Sequence, residues 1–155
     1  MTELYSASAE STRALGARLA ARLQAGDTLM LYGDLGAGKS ELARGIARGL
    51  GVTGPVGSPS FTILNVYDEG RLPLYHFDWY RLESEEELYE LGMEEYLGGD
   101  GVAVVEWPDR CPGAIPEKRL DITLTPTADG ARLIRLEARG GFRLPDESAL
   151  KGSME

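Results

Sequence analysis

Eight consecutive residues, Gly33-Asp34-Leu35-Gly36-Ala37-Gly38-Lys39-Ser40, have the spacing GxxxxGK[ST] of a phosphate-binding loop. Each residue type has a physical reason. Glycines let the backbone turn so that successive N–H groups face one anion. A helix starting at Lys39 aims the positive end of its dipole at the same anion. Lys39 brings a compact positive charge to the β- and γ-phosphates, and the Ser40 hydroxyl is a ligand for Mg²⁺. The chain has only three lysines, Lys39, Lys118 and Lys151, and one stands where the loop requires it.

Phosphoryl chemistry on such a loop also needs a carboxylate at the end of a neighbouring strand. Two are available. Asp78 ends Leu74-Tyr75-His76-Phe77-Asp78, and Glu106 ends Val102-Ala103-Val104-Val105-Glu106. Glu106 is the cleaner signal, because four apolar residues lead to one acid. One acid would hold the metal while the other binds a metal water or orients the attacking water. The sequence leaves open which does which. Ser58-Pro59-Ser60-Phe61-Thr62 follows the loop-helix and offers hydroxyls where a switch segment would sense the γ-phosphate; a plain proline turn is an equal reading. His76 is the only histidine, and a packed, hydrogen-bonded role is expected for it. Trp79 and Trp107 each follow a candidate acid and are expected in the core. One histidine and one cysteine, Cys111, exclude a zinc site of the usual kind.

These groups need elements to position them. Leu15, Leu19 and Leu23 recur every four residues and predict a helix over 9–25, with Ser8 as its N-cap. Thr28–Tyr32 is a continuous apolar strand of the buried parallel type, and 39–49 is the amphipathic helix after the loop. Strands are expected at 61–67 and 72–79, forming a hairpin, and at 102–105. A second hairpin is expected from 119–126 and 131–138. Residues 84–97 predict an acidic helix, with seven glutamates within 83–95. That is a solvated face or a docking surface for a basic partner. The pattern predicts an α/β domain, three-layered and of the P-loop NTPase type, with a mixed sheet carrying antiparallel hairpins. It would occupy 1–140, with 141–155 a poorly ordered tail.

The 155 residues suffice for one such domain. Hydrophobic residues make up 43% and charged residues 26%, which excludes a disordered or fibrous chain. No apolar run approaches the roughly 18 residues that span a bilayer, and the N-terminus lacks the pattern of a signal peptide. With a single cysteine, a reducing cytoplasm is the expected compartment. The net charge of −9 opposes direct, tight binding to a phosphate backbone or an anionic membrane.

The segments GDLGAGKS, SPSFTILNVY, YHFDWYRL, ELGMEEYL and VVEWPDR, in that order and spacing, resemble the TsaE (YjeE-like) family. That family comprises P-loop ATPases of bacterial tRNA threonylcarbamoyladenosine biosynthesis. The resemblance covers roughly 8–126. Ser60 stands where the family usually has threonine, and Ser40 where it often has threonine; both keep the hydroxyl. The resemblance implies binding of ATP and Mg²⁺. It implies weak hydrolysis by the protein alone, support of turnover by the partners TsaB and TsaD, and contact with tRNA only through them. It implies that Gly33, Asp34, Leu35, Gly36, Ala37, Gly38, Lys39 and Ser40 hold the triphosphate, and that Ser40 and Glu106 hold the metal. Asp78 becomes a second essential carboxylate, on the metal's water shell or on the attacking water. Thr12 is implied near the adenine end, Ser60 and Thr62 in the switch segment, and Trp107 beside the site. Two rivals stay in view: a small-molecule kinase with Arg110 and Arg119 as its lid, and a non-hydrolysing switch. A translation-type GTPase is disfavoured, since no NKxD and no strand leading into DxxG is present.

Overall fold

A computed structural model describes residues 1–34 and 36–151. Seven strands form one mixed sheet: β1 (Thr2–Ser6), β2 (Thr28–Tyr32), β3 (Leu64–Tyr67), β4 (Leu74–Asp78), β5 (Val102–Glu106), β6 (Arg119–Pro126) and β7 (Arg132–Arg139). Their spatial order is β1-β7-β6-β2-β5-β4-β3. The central four, β6, β2, β5 and β4, run parallel; β3 on one side and β7 on the other run antiparallel to them, and β1, antiparallel to β7, runs in the direction of the central four. The α/β class and both hairpins are as the sequence predicts.

The apolar runs explain the layering. Strand side chains alternate between faces, so Leu29, Leu31, Val102 and Val104 pack with helices α1 (Ala9–Ala20) and α2 (Lys39–Leu50). Met30, Ala103, Val105 and Phe77 face the other side. There the short helix α3 (Glu85–Glu90), the turn that follows it and the proline loop after β5 cover them with Leu88, Met93 and Cys111. Both faces of β2 and β5 are thus buried, which is why these strands read as unbroken apolar runs. Leu19, Leu42 and Ile46 are fully buried between α1, α2 and the sheet, each stabilising by about 1.5–3 kcal/mol. Among the described residues, no helix is long and apolar enough to cross a membrane.

Several elements differ from expectation. Helix α1 ends near Ala21 rather than at residue 25, and Arg71 caps it, donating to the carbonyls of Ala20 (2.7 Å) and Leu23 (3.0 Å). Strand β1 has too few apolar residues to be read locally and exists because β7 offers it a free edge. The acidic segment is not one helix: Gly92 adopts φ 72° and splits α3 from a 3₁₀ turn at Met93–Glu95. Glutamates near a helix C-terminus oppose its dipole, so nothing favours continuation there. The residues from 141, expected to be patternless and poorly ordered, dock onto the domain as far as 151. Phe142 and Leu150 are buried in the core shared with α1, and helix α4 (Glu147–Lys151) receives a hydrogen bond from Arg18 to the Leu150 carbonyl (2.5 Å). Two such separated anchors have no period to detect; tertiary contact alone orders them. Residues 152–155 of the expected tail lie outside the described residues.

Helices α1 and α2 cross so closely that a Cβ on Gly45 would overlap the carbonyl of Arg13. Backbone, rather than a flexible side chain, would have to yield. Gly45→Ala is therefore expected to destabilise the fold by about 1–3 kcal/mol despite alanine's better helix propensity. Urea unfolding of the variant checks this, and an unchanged midpoint would refute the close crossing.

Candidate functional site

The candidate site lies at the C-terminal ends of the parallel strands, the usual place for a ligand in an open α/β sheet. The loop leaving β2 turns at Gly33. Its φ is 148°, and the Leu124 carbonyl lies 2.8 Å from where a Cβ would stand, so only glycine fits. The Ala37 N–H closes a turn onto the Asp34 carbonyl at 3.0 Å. Gly38, in the left-handed region, starts α2 without any side-chain cap. The first N–H groups of α2 therefore point at the loop's concavity with no side chain competing for them. Leu35, expected among the phosphate-binding residues, lies outside the described residues.

Sheet alternation then brings the acids to that concavity. Asp78 and Glu106 are register partners across β4 and β5. Each is an even number of residues beyond a strand position that faces α2, so both project to the same side as the loop. They line one cleft of about 310 Å³ together with Gly36, Gly38, Lys39, Ser40, Ser58, Ser60 and Trp107.

Lys39 is buried, with 5% exposure. Its ammonium donates to the Gly33 carbonyl (2.6 Å) and sits 3.5 Å from the centroid of the Trp107 ring. Trp107 reaches it because its own backbone is left-handed (φ 58°, ψ 48°), uncommon for a non-glycine residue. Burial pulls the Lys39 ammonium down from the ordinary lysine range, while the fields of Glu106 and Asp78 push it back up. Burial lifts the Asp78 carboxyl above its ordinary range; the Tyr80 N–H, at 2.9 Å, opposes that, and Glu106 adds to it. His76 is buried and its Nε2 lies 2.6 Å from Glu106 Oε2.

The remaining expected residues divide. Ser60 lines the cleft, its hydroxyl 2.6 Å from that of Ser58. Thr62 is exposed and donates to Asn65 at 2.7 Å, away from the residues lining the cleft. Ile63 takes φ 69° and β3 starts only at Leu64, so the strand expected from residue 61 is a turn over its first three residues. Thr12 is buried in α1, its hydroxyl engaged by Ser6 (2.7 Å) and the Ser8 carbonyl (3.2 Å). It lines a separate cavity of about 70 Å³ beside the loop.

Sequence reasoning missed Arg132, at the start of β7. Its guanidinium donates to the carbonyls of Ala37 (2.8 Å) and Gly36 (2.9 Å), and it lines both cavities. No spacing rule marks it, since only the β6–β7 hairpin carries it to a loop so much earlier in the chain. Arg110 and Arg119, the expected lid of a kinase, are not among the residues lining the cleft. Arg110 donates to the Tyr80 carbonyl (2.8 Å) and Arg119 to Asp121 (2.9 Å).

Ser40, Asp78 and Glu106 offer only hard oxygen donors; Glu41, which also lines the cleft, is paired with Arg13 and Arg44. Among the described residues no group of three His, Cys, Asp or Glu side chains converges on a point. That set fits Mg²⁺, which keeps several waters and shares phosphate oxygens, rather than a cation needing a full protein cage.

The lifted Asp78 has a consequence for stability. The folded protein holds this proton to higher pH than the unfolded chain does, so stability falls as pH rises from the ordinary carboxylate range through the folded-state value. Asp78→Asn removes that titration and keeps an oxygen for the Tyr80 N–H. It is expected to raise Tm at pH 7 by about 1–3 °C, with the gain fading below the ordinary aspartate range. Thermal unfolding over a pH series measures it; a lower Tm at pH 7 would contradict the assigned burial cost.

The family model described as "Threonylcarbamoyl adenosine biosynthesis protein TsaE" matches residues 6–134. A protein of Bacillus subtilis (strain 168) named tRNA threonylcarbamoyladenosine biosynthesis protein TsaE is 46% identical over 131 residues, covering 84% of this chain and 82% of that protein. A protein of the same name from Streptomyces coelicolor is 41% identical over 148 residues, covering 90% and 99% respectively. The crystal structure of the Bacillus protein YdiB superposes with a TM-score of 0.79 at 40% identity, covering 90% of this chain and 86% of that one. The chain belongs to the TsaE family, whose members are named for the biosynthesis of threonylcarbamoyladenosine in tRNA.

Proposed function

We propose that this protein is the Mg²⁺-dependent ATPase subunit of the tRNA threonylcarbamoyladenosine machinery, and that its hydrolysis of ATP supports turnover by the TsaB–TsaD transferase. The observation that carries this reading is the convergence of Lys39, Ser40, Asp78 and Glu106 on one cleft at the start of α2. In this reading the loop N–H groups and the α2 dipole hold the β-phosphate. Lys39 exchanges the Trp107 ring and the Gly33 carbonyl for β- and γ-phosphate oxygens. Ser40 and Glu106 hold the metal, which when bound neutralises charge on the β- and γ-phosphates. Asp78 orients the attacking water, a task suited by a carboxylate whose proton affinity burial has raised. Gly33, Asp34, Gly36, Ala37 and Gly38 form the cradle, Ser60 and Thr62 belong to the switch segment, and Thr12 lies toward the adenine end. Arg132 holds the outer rim of the loop in shape.

The charge of −9 supports a subunit that reaches tRNA only through its partners. Cytoplasmic residence agrees with the single thiol, Cys111, which is buried and whose pKa burial pushes up. A kinase reading has less to support it, because Arg110 and Arg119 are engaged away from the cleft.

Purified protein should hydrolyse ATP slowly in the presence of Mg²⁺ and faster when TsaB and TsaD are added. Phosphate transfer to a small acceptor, unaffected by the partners, would favour a kinase instead. Lys39→Ala is expected to weaken ATP binding at least about 100-fold, through loss of a buried charge-assisted contact. Glu106→Gln should bind within a few-fold of the parent yet turn over about 100-fold more slowly. Binding by a fluorescent ATP analogue and phosphate release separate the two. Normal turnover by either variant removes the site assignment.

A further inference from the structure

His76 takes no part in the reading above, yet it is bonded to one of its central groups. It is the only histidine of the chain, and its exposure is 2%. It stands on β4 two residues before Asp78, opposite Val104, and its Nε2 lies 2.6 Å from Oε2 of a Glu106 side chain that is itself 5% exposed. Its other ring nitrogen, Nδ1, is buried with no hydrogen-bond partner among the described residues.

That asymmetry selects a tautomer. An orphaned buried N–H is rarer and costlier than an orphaned acceptor. Of the two tautomers, the Nδ1–H form carries its only proton on the orphaned side. That would leave a buried donor unsatisfied. The neutral Nε2–H form leaves only a lone pair unmatched and donates its single proton to Glu106. One oxygen of the Glu106 carboxylate is then held, and the other is left to serve the cleft that Glu106 lines. The hold matters because Lys39 attracts the same carboxylate. A carboxylate released to rotate would be drawn toward the ammonium and away from the ligand position.

We propose that His76 is a positioning residue: through its Nε2–H it fixes Glu106 in the orientation that binds the cation, and it keeps Glu106 off Lys39. The metal part of this inference rests on the function proposed above; the His76–Glu106 bond does not. Imidazoles that orient metal-binding carboxylates are the mirror image of carboxylates that orient metal-binding histidines, where losing the outer partner typically costs about 10–100-fold in metal affinity.

The tests use the whole protein. With one histidine, ¹⁵N spectra of the imidazole in nucleotide-free, metal-free protein are unambiguous. They should show a slowly exchanging proton on Nε2, and Glu106→Ala should accelerate that exchange. An Nδ1–H tautomer, which leaves no proton to donate to Glu106, overturns the proposal. The second test titrates Mg²⁺ while following a fluorescent ATP analogue. His76→Leu should raise the Mg²⁺ needed for half-maximal effect about tenfold and leave metal-free nucleotide affinity within about twofold. His76→Gln, whose amide nitrogen can take the place of Nε2–H, should restore the parent's Mg²⁺ dependence. In a Glu106→Gln background, His76→Leu should have no further effect on it. A histidine that merely fills space predicts equal losses in the Leu and Gln variants, or a loss that adds to Glu106→Gln, and either result refutes positioning. Nucleotide binding indifferent to Mg²⁺ in the parent protein would sink the metal reading itself, while the imidazole spectrum would still decide whether His76 holds Glu106.

Discussion

A buried ammonium must be held by dipoles, rings and fields, and in this protein that ammonium belongs to Lys39. Desolvating such a charge costs several kcal/mol unless partners replace the lost water. Here the Gly33 carbonyl, the face of Trp107 and the fields of Asp78 and Glu106 replace it. None of these is a close ion pair. The lysine is stabilised enough to persist and is not quenched by a carboxylate, which leaves its charge available to an incoming anion. The left-handed backbone of Trp107 and the turn at Gly33 both serve this arrangement; the first is a strained conformation that the surrounding packing over-determines, and the second is open to glycine without strain.

The sheet supplies the precision. Asp78 and Glu106 are brought together by the register of β4 on β5, and the loop by β2 on the other side of β5. A slip of one residue in either strand would send its carboxylate to the opposite face. Burial on both sides of β2 and β5 forbids such a slip, because every apolar side chain would have to change layers. The apolar core therefore does more than stabilise the domain. It sets which way two charged side chains point, and through them the chemistry open to the cleft. The antiparallel flank contributes in a different manner. The β6–β7 hairpin carries Arg132 back to the loop carbonyls, so the rim of the cradle is braced by the far end of the chain.

Where charge is buried also bears on function. Lys39, Asp78, Glu106 and His76 are among the few buried polar or charged residues of the chain, and three of them meet in the same cleft. A domain loses stability by concentrating such groups, and the lifted Asp78 is the visible sign of it. The acidic surface around α3 is a separate matter. Its glutamates are used partly to tie loops locally, with Glu85 accepting from the Gly113 N–H (2.8 Å) and Glu87 from the Glu83 N–H (2.9 Å).

Much of this was legible in the sequence, for a definite reason. The loop spacing, the apolar runs ending in Asp78 and Glu106, and the four-residue leucine period are local signals. Such signals survive because each rests on the geometry of one element, a turn, a strand or a helix face. The mixed α/β sheet and its two hairpins followed from them. What only the tertiary structure decided is what depends on residues far apart in the chain. The sequence placed strand β1 nowhere, because its half-polar residues form a strand only against the edge of β7. It could not show that residues 142–150 dock on α1, since two anchors without a period carry no local signature. It could not single out Arg132, and it read His76 as a packed, hydrogen-bonded residue without naming the partner. Their roles arise from hydrogen bonds to the loop and to Glu106, and those bonds exist only once the sheet has set its register.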